Sequence, residues 1–266
     1  MMKMSKILIN INNLSEIEEY KKIGITNFLF AVDRFSIGYK TYSLHDIPYS
    51  SYLLINRVLD CEGVDEIKEL KSELLKYKGI VFEDLAIYNI FNGEDIELIW
   101  YQNHFATNSE SINYYLNNGC TSAVISNEIT KTEILDIIKS SSKPLVLTIL
   151  AKNQIMYSRR HLLTNFNNHD NLENYNVMVL KENITQSRFR ARESEFGTII
   201  LNDEYFNYVS LMQKLDDNQI KFYLILNQDI KPSELKEILE GKVFGNRGFL
   251  DKKTVYRMSE YNDRKN

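Results

Sequence analysis

Four polar side chains of different chemistry stand side by side in this sequence: Ser158, Arg159, Arg160 and His161. They follow the apolar, β-rich run of residues 144–150 after a short connection. Arginine presents a planar fork of donors that suits phosphate or carboxylate groups, and histidine exchanges a proton near neutral pH. Because the loop after a strand is where parallel α/β proteins build their sites, this segment is the first candidate for a functional site.

Other polar residues also follow predicted strands. Glu83 and Asp84 offer a general acid and base, but neighbouring residues of a strand point to opposite sides, so at most one of them faces a pocket. His104 is a candidate base or metal ligand, or only a hydrogen-bonding partner, and no HExxH or paired-histidine spacing supports a metal site. The predicted catalytic residues are therefore Glu83, His104 and His161. The predicted substrate-binding residues are Arg57, Asn103, Asn127, Glu128, Ser158, Arg159 and Arg160. The ends of strands meet water and are commonly polar, so each of these residues also has a purely structural interpretation.

Three arginines alternate along the chain at Arg188, Arg190 and Arg192. On an extended segment they would share one face, because side chains alternate with a period of two. Such a stripe suits an RNA backbone. It also suits a solvated edge that discourages strand aggregation, and the sequence leaves both interpretations open.

The order of apolar runs predicts a (β/α)8 barrel of the TIM type. Eight strands are predicted at residues 6–11, 26–32, 51–59, 79–83, 96–101, 122–126, 144–150 and 220–226. Helices are predicted at residues 15–23, 63–77, 85–91, 109–116, 132–140, 204–215 and 233–239. Such alternation is typical of a parallel sheet with helical crossovers. An open doubly wound sheet is the alternative, but no glycine-rich phosphate loop follows the first strand.

One departure from this alternation follows the seventh strand. Residues 176–180 and 198–201 look like the two strands of a β-hairpin, so we predict a hairpin insertion at about residues 170–202. The predicted organisation is one barrel domain over residues 1–250 with this insertion. A charged tail over residues 251–266 follows it.

Composition narrows the class of protein. The chain has 266 residues and a net charge of −4, which argues against a general polyanion binder. Its two cysteines, Cys61 and Cys120, have no CxxC context, which argues against a disulfide scaffold and a cysteine metal site. The apolar run near the N-terminus is too short for a signal peptide or a membrane span. We therefore expect a cytoplasmic protein with no membrane partner.

The segment QIMYSRRHLLTNF, residues 154–166, resembles the signature loop of peptidase family U32, the collagenase-like proteases. That loop has the form C-x6-C with serine, then glycine or lysine, then arginine before the second cysteine, followed by two leucines. Residues 35–44, 100–130, 196–207 and 248–258 resemble further segments of the family in the same order. The family's two cysteine positions fall on Gln154 and His161.

This resemblance carries several expectations. In relatives with an iron–sulfur cluster the cysteines are the ligands, so no cluster and no other cofactor is expected here. The chain is similar to the shorter of two paralogous U32 proteins found side by side in Firmicutes, which the family links to 5-hydroxyuridine formation at the tRNA wobble position. The resemblance therefore implies a partner subunit beside a longer, cluster-bearing paralogue, with tRNA as a further partner.

Three functions remain open from the sequence. The first is the cluster-less partner subunit in tRNA modification. The second is a peptidase, as the family name says, although no Ser–His–Asp constellation, nucleophilic cysteine or zinc motif can be placed. The third is a non-catalytic barrel whose mouth binds a small ligand or a prephenate-like acid. These functions overlap, because a partner subunit can itself be a pseudoenzyme.

Overall fold

A computed structural model describes residues 4–170, 176–184, 186–212, 214–215 and 217–252 of the chain. Its strands are Ile7–Asn10 (β1), Asn27–Val32 (β2), Thr41–Tyr42 (β3), Tyr52–Ile55 (β4), Gly79–Phe82 (β5), Glu97–Tyr101 (β6), Ser122–Ile125 (β7), Leu145–Ser158 (β8), Val177–Lys181 (β9), Arg188–Ser194 (β10), Gly197–Asn207 (β11) and Ile220–Leu226 (β12). Its α-helices are Ile17–Lys22 (α1), Cys61–Glu69 (α2), Lys71–Leu74 (α3), Leu85–Phe91 (α4), Ser109–Asn117 (α5), Lys131–Ser140 (α6), Leu162–Asp170 (α7), Val209–Met212 (α8) and Pro232–Leu239 (α9).

Eight of these strands close into a parallel barrel. Their order is β12-β1-β2-β4-β5-β6-β7-β8, and β12 also pairs in parallel with β8, where Phe222 lies opposite Val146. This last pairing excludes the open doubly wound sheet and confirms the predicted barrel of the TIM type. The strands are apolar and almost wholly buried, because the barrel core covers one face and the helices cover the other.

Several helices begin at a residue whose side chain caps them. Thr130 caps α6, and the Glu133 carboxylate accepts a hydrogen bond from the backbone N–H of Thr130 at 2.7 Å, which completes a capping box. The apolar side of α6, which includes Ile134 and Ile138, is buried in the core. The cap therefore fixes where this helix begins, and its apolar periodicity fixes which side faces the core.

The segment after the seventh barrel strand differs from the expectation. Residues 177–181 and 197–207 are strands, but they do not pair with each other: β10 lies between them and pairs antiparallel with both. The insertion is therefore a three-stranded meander and not a hairpin. Its middle strand escaped prediction because the arginines of β10 make the segment polar, although their alternation is the period of a strand.

The long strand β8 joins this meander to the barrel. Its first part lies in the barrel wall, and its second part continues to Ser158 and pairs antiparallel with β11, where Tyr157 lies opposite Ile199. We call the antiparallel sheet formed by residues 152–158 of β8 with β11, β10 and β9 the antiparallel extension. Residues 204–207, predicted as the start of a helix, belong to β11, and helix α8 begins only at Val209. Of the predicted tail, residues 253–266 lie outside the described residues.

The antiparallel extension packs on the loop that follows β2. Gly38 has a φ of +86°, and a Cβ atom built there would lie 2.8 Å from Cδ1 of Ile199 on β11. This loop residue therefore needs glycine both for its backbone conformation and for the close approach. Ile37 packs in the same apolar cluster with Ile199, Leu201 and Tyr157. These contacts hold the extension against the carboxyl end of the barrel strands.

Candidate functional site at the barrel mouth

The register of the barrel shows which side chains face its interior. Trp100 on β6 stacks on Tyr115 of the outer helix α5, with ring centroids 4.1 Å apart, so Trp100 points outward. Its neighbour Tyr101 therefore points inward, because side chains alternate along a strand. Ile99 lies opposite Val81, so Glu83, two residues beyond Val81, is also on the inner face. The neighbouring Asp84 serves a different purpose and caps helix α4 by accepting a hydrogen bond from the N–H of Ala86 at 2.8 Å.

The Glu83 carboxyl is the most unusual titratable group at the mouth. Part of its surface remains accessible to solvent, but it lies deep among protein atoms, and this burial raises its pKa to about 8. Within the described residues its side chain has no hydrogen-bond or ion-pair partner. Burial also raises the pKa of Tyr101, with further contributions from Tyr39 and from the charge of Glu83. At neutral pH, Glu83 is thus a protonated acid beside phenol groups, which suits general acid catalysis.

Arg192 of β10 reaches from the antiparallel extension to the same region. Its Nη1 donates to the carbonyl oxygen of Gly38 at 3.3 Å, and its Nε is buried without a hydrogen-bond partner among the described residues. Burial and the nearby Arg190 lower the pKa of its guanidinium. The nearby Asp229 acts on this pKa in the opposite direction. The arginine thus provides an incompletely satisfied cation at the edge of the mouth.

Three carboxamides occupy the opposite side of the inner wall. Leu8 lies opposite Leu224 and Ala151 opposite Leu226, and the register therefore places Asn10, Gln228 and Asn153 on the inner face of three adjacent strands or just beyond their ends. The buried Oδ1 atoms of both asparagines and both polar atoms of Gln228 have no partner within the described part of the chain.

Unsatisfied buried polar atoms each cost about 1–3 kcal/mol. A concentration of such atoms at one end of a barrel is the pattern expected of a binding site. None of these three carboxamides is among the site residues predicted from the sequence. In the sequence, each of these carboxamides stands two residues after the last inward-facing apolar side chain of its strand, and this spacing was the signal that could have identified it.

The segment of Ser158 to His161 lies beside the mouth, and local hydrogen bonds and ion pairs hold most of it in place. Ser158 accepts a hydrogen bond from the Arg160 N–H at 3.2 Å, and Arg159 forms an ion pair with Asp60 at 2.7 Å. A backbone hydrogen bond from Gly63 and the charges of two nearby arginines hold the pKa of Asp60 below its usual value, against the opposing effect of burial. The guanidinium of Arg160 is exposed and has no partner among the described residues.

Arg57 was predicted as a substrate-binding residue, and the structure places it in a supporting position. Its side chain is 7% exposed, its Nη1 donates to the carbonyl oxygen of Arg34 at 2.5 Å, and its guanidinium lies 4.0 Å from the ring centre of Phe196. Its Nη2 contacts Asp60 at 3.3 Å. Arg57 therefore connects the end of β4 to the antiparallel extension, and its donors are occupied by protein groups.

His161 lies at the start of helix α7, and its Nδ1 is 3.7 Å from a carboxylate oxygen of Glu193 on β10. The Glu193 side chain is only 4% exposed and accepts hydrogen bonds from the N–H groups of Leu163 and Thr164 at 2.7 and 3.1 Å. The hydroxyl groups of Thr164 and Thr198 donate to it as well. This carboxylate therefore caps the first turn of α7 from another element, which sequence spacing alone did not indicate.

The remaining predicted residues form a second group on the rim. Nδ1 of His104 lies 3.1 Å from Glu128, and Oδ1 of Asn103 accepts a hydrogen bond from the N–H of Asn127 at 3.1 Å. Asn127 is buried, and its Oδ1 has no partner among the described residues. The structure thus joins these four residues across the ends of β6 and β7. It shows no contact between them and His161.

The residues at the signature positions do not fit an iron–sulfur cluster. Gln154 is part of β8 and lies opposite Leu201, while His161 stands beyond the end of that strand, and neither is a thiolate. Cys61 begins helix α2 after β4, whereas Cys120 is buried just before β7, at the opposite end of the barrel. Burial raises the pKa of the Cys120 thiol to about 12, which disfavours the thiolate that metals require.

The fold and the mouth together define an α/β-barrel protein with its polar groups gathered at the carboxyl ends of the strands. The sequence model of peptidase family U32 matches residues 40–225, and the chain therefore belongs to this family. The structure of the U32 peptidase Mk0906 is similar with a TM-score of 0.51 and 11% sequence identity, over 85% of this chain and 94% of that one.

Two further solved structures are similar at lower TM-scores. A chitinase from Chromobacterium violaceum has a TM-score of 0.39 at 7% identity, over 90% of this chain and 99% of the chitinase. The Bacillus megaterium spore cortex-lytic enzyme SleL has a TM-score of 0.39 at 8% identity, over 93% and 74% of the two chains. Comparison with curated protein sequences gives no match. Within the described residues, no helix is long and apolar enough to cross a membrane.

Proposed function

We propose that this U32-family chain is a partner subunit in the hydroxylation of wobble uridine in tRNA. It acts in the cytoplasm beside a longer U32 paralogue, which supplies the iron–sulfur cluster that this chain has no ligands to hold. One observation carries the proposal: the family's barrel and signature loop are retained, while the cysteine positions of that loop are Gln154 and His161. Retention of the fold without the ligands is the pattern expected of a subunit that positions substrate or partner.

Arg160 is the residue best placed for tRNA contact. It is exposed beside the barrel mouth and free of ion pairs among the described residues, whereas Arg188 and Arg190 both contact Asp203. The predicted arginine stripe of β10 is thus partly neutralised, which weakens it as the main RNA surface. A single exposed guanidinium close to the mouth can hold a phosphate while the neighbouring nucleotide approaches the site.

Deletion of the gene is expected to abolish or strongly reduce 5-hydroxyuridine at the wobble position, measured by mass spectrometry of digested tRNA. Affinity purification from the native host is expected to recover a longer U32 protein together with tRNA. Reintroduction of Arg160→Ala should restore the modification only in part and reduce the salt dependence of tRNA binding by about one phosphate contact. Lys22→Ala, on the exposed side of α1, is the matched charge control. Unchanged 5-hydroxyuridine in the deletion strain under all growth conditions would refute the proposal.

A second candidate function rests on Glu83. A protonated carboxyl at the mouth can act as the general acid of a hydrolase, and the similar solved structure bears the name U32 peptidase. If the chain cleaves gelatin or collagen peptides, activity should fall as the pH rises through about 8, because the acid loses its proton there. Glu83→Gln should then reduce kcat by about 10²-fold or more. Absence of cleavage by the purified protein, alone and with its paralogue, would remove this candidate.

A further inference from the structure

A second cavity lies outside the barrel wall, on the side of β6 that faces helix α5. It encloses about 760 Å³, which is in the usual range of a small-molecule site. Trp100, Phe105, Tyr114, Tyr115 and Leu85 form most of its apolar wall. Glu83 at the end of β5 and His104 also line the cavity, so it adjoins the rim of the barrel mouth, although outward-facing side chains such as Trp100 form most of its wall. Arg160, the residue proposed above to contact tRNA, does not line it.

Contacts between aromatic rings hold the wall of this cavity together. Trp100 and Tyr115 are stacked with centroids 4.1 Å apart, and Tyr114 meets Tyr115 edge-on at 5.3 Å. Three large apolar side chains of this wall are strongly exposed: Leu85 by 47%, Phe105 by 66% and Tyr114 by 63%. Exposed apolar residues scattered over a surface need no explanation, but their concentration around one cavity is typical of a binding site.

The charges around the cavity select the type of ligand. Its ionisable lining residues are Glu83, His104 and Glu110, with neither lysine nor arginine among them. Within the described residues Glu110 has no ion-pair partner, and Glu128 is paired only with His104. Aromatic rings attract cations through their electron-rich faces, and a carboxylate at the rim strengthens this preference. An anionic ligand such as a nucleotide would meet no positive group in this lining.

From this arrangement we infer that the cavity binds a small organic cation with a flat apolar body, of the arylalkylammonium class. The ring of the ligand lies against Trp100 and Tyr114, and its ammonium group lies towards Glu110. The site would make the chain a receptor for a small amine in addition to its role at the mouth. The inference is independent of the proposed role in tRNA modification, since Arg160 does not line this cavity.

The test uses the fact that Trp100 is the only tryptophan in the chain. Phenethyltrimethylammonium is titrated into the purified full-length protein while tryptophan fluorescence is recorded, and calorimetry provides a second measurement. Phenylacetate and 2-phenylethanol, which keep the ring but carry a negative or no charge, are the comparison ligands. We expect a saturable fluorescence change with the cation, binding of the alcohol weaker by ~3- to 30-fold, and no saturable binding of phenylacetate.

Two variants distinguish the contribution of the Tyr114 ring to binding from that of the Glu110 charge. Glu110→Gln should weaken cation binding by about 3-fold or more with little effect on the alcohol, and Tyr114→Ala should weaken both. Glu62→Gln is the matched control, because Glu62 is exposed in the first turn of α2 as Glu110 is in the first turn of α5. The inference is overturned by a linear, unsaturated fluorescence response, by phenylacetate binding as tightly as the cation, or by Glu110→Gln leaving the affinity unchanged.

Discussion

Glu83→Gln is expected to stabilise the protein at alkaline pH and to remove most of a fall in stability between about pH 4.5 and 8. The pKa of this carboxyl rises from 4.5 to about 8 on folding, so between these values the folded chain holds a proton that the unfolded chain has released. Stability therefore decreases as the pH rises through this window. At one pKa unit per roughly 1.4 kcal/mol, the cost is on the order of 3–5 kcal/mol at pH 8 and above.

The measurement is the free energy of unfolding in urea at pH 5, 7 and 9 for both proteins. The variant should match the parent at pH 5 and exceed it increasingly at pH 7 and 9. Glu62→Gln, an exposed glutamate replaced in the same way, should change stability by no more than about 0.5 kcal/mol at any pH. A parallel pH dependence of parent and Glu83→Gln would show that Glu83 is ionised in the folded protein at neutral pH.

Glu193→Ala is expected to cost about 2–4 kcal/mol and to release the first turn of helix α7. Four donors converge on this nearly buried carboxylate, from Leu163, Thr164 and Thr198, and the substitution leaves them without an acceptor. Burial alone would raise the pKa of Glu193, but these hydrogen bonds outweigh it and hold the pKa below its usual value. The contribution is thus fully present above the pKa of the unfolded chain and is lost as the pH falls through the lower folded pKa.

Urea unfolding at pH 7 and amide hydrogen exchange of residues 162–165 measure the two effects. Glu195→Ala, an exposed glutamate on the same strand connection, should stay within about 0.5 kcal/mol of the parent. Glu193→Gln separates shape from charge: it keeps one acceptor oxygen and should recover part of the loss. Full retention of α7 protection in Glu193→Ala would mean that the helix is held by apolar contacts alone.

The barrel was predictable because each of its strands and helices is specified by residues that are close together in the sequence. Each barrel strand is a short apolar run, and several helices have a capping residue of their own, such as Thr130 for α6, so alternation alone gives the fold class. Helix α7 was missed for the opposite reason. Its asparagine-rich sequence has low helix propensity, and the carboxylate that supports it lies thirty residues further along the chain in Glu193.

The site was predictable only in part, because it depends on register. Strand ends identified Glu83 and His104 as rim residues, but which side of the wall each side chain faces follows only from pairings such as Val81 with Ile99. Gln228 becomes a site residue only when β12 is placed between β1 and β8. Arg57 shows the reverse effect: its type suggests a binding role, but the approach of Phe196 encloses it.

Strand β8 has 14 residues and takes part in both the barrel and the antiparallel extension. The extension is therefore not an independent unit. Removing residues 176–207 would leave the second half of β8 as an unpaired edge strand, and such an edge favours pairing with strands of other molecules. For the same reason the two parts should open together as one cooperative folding unit.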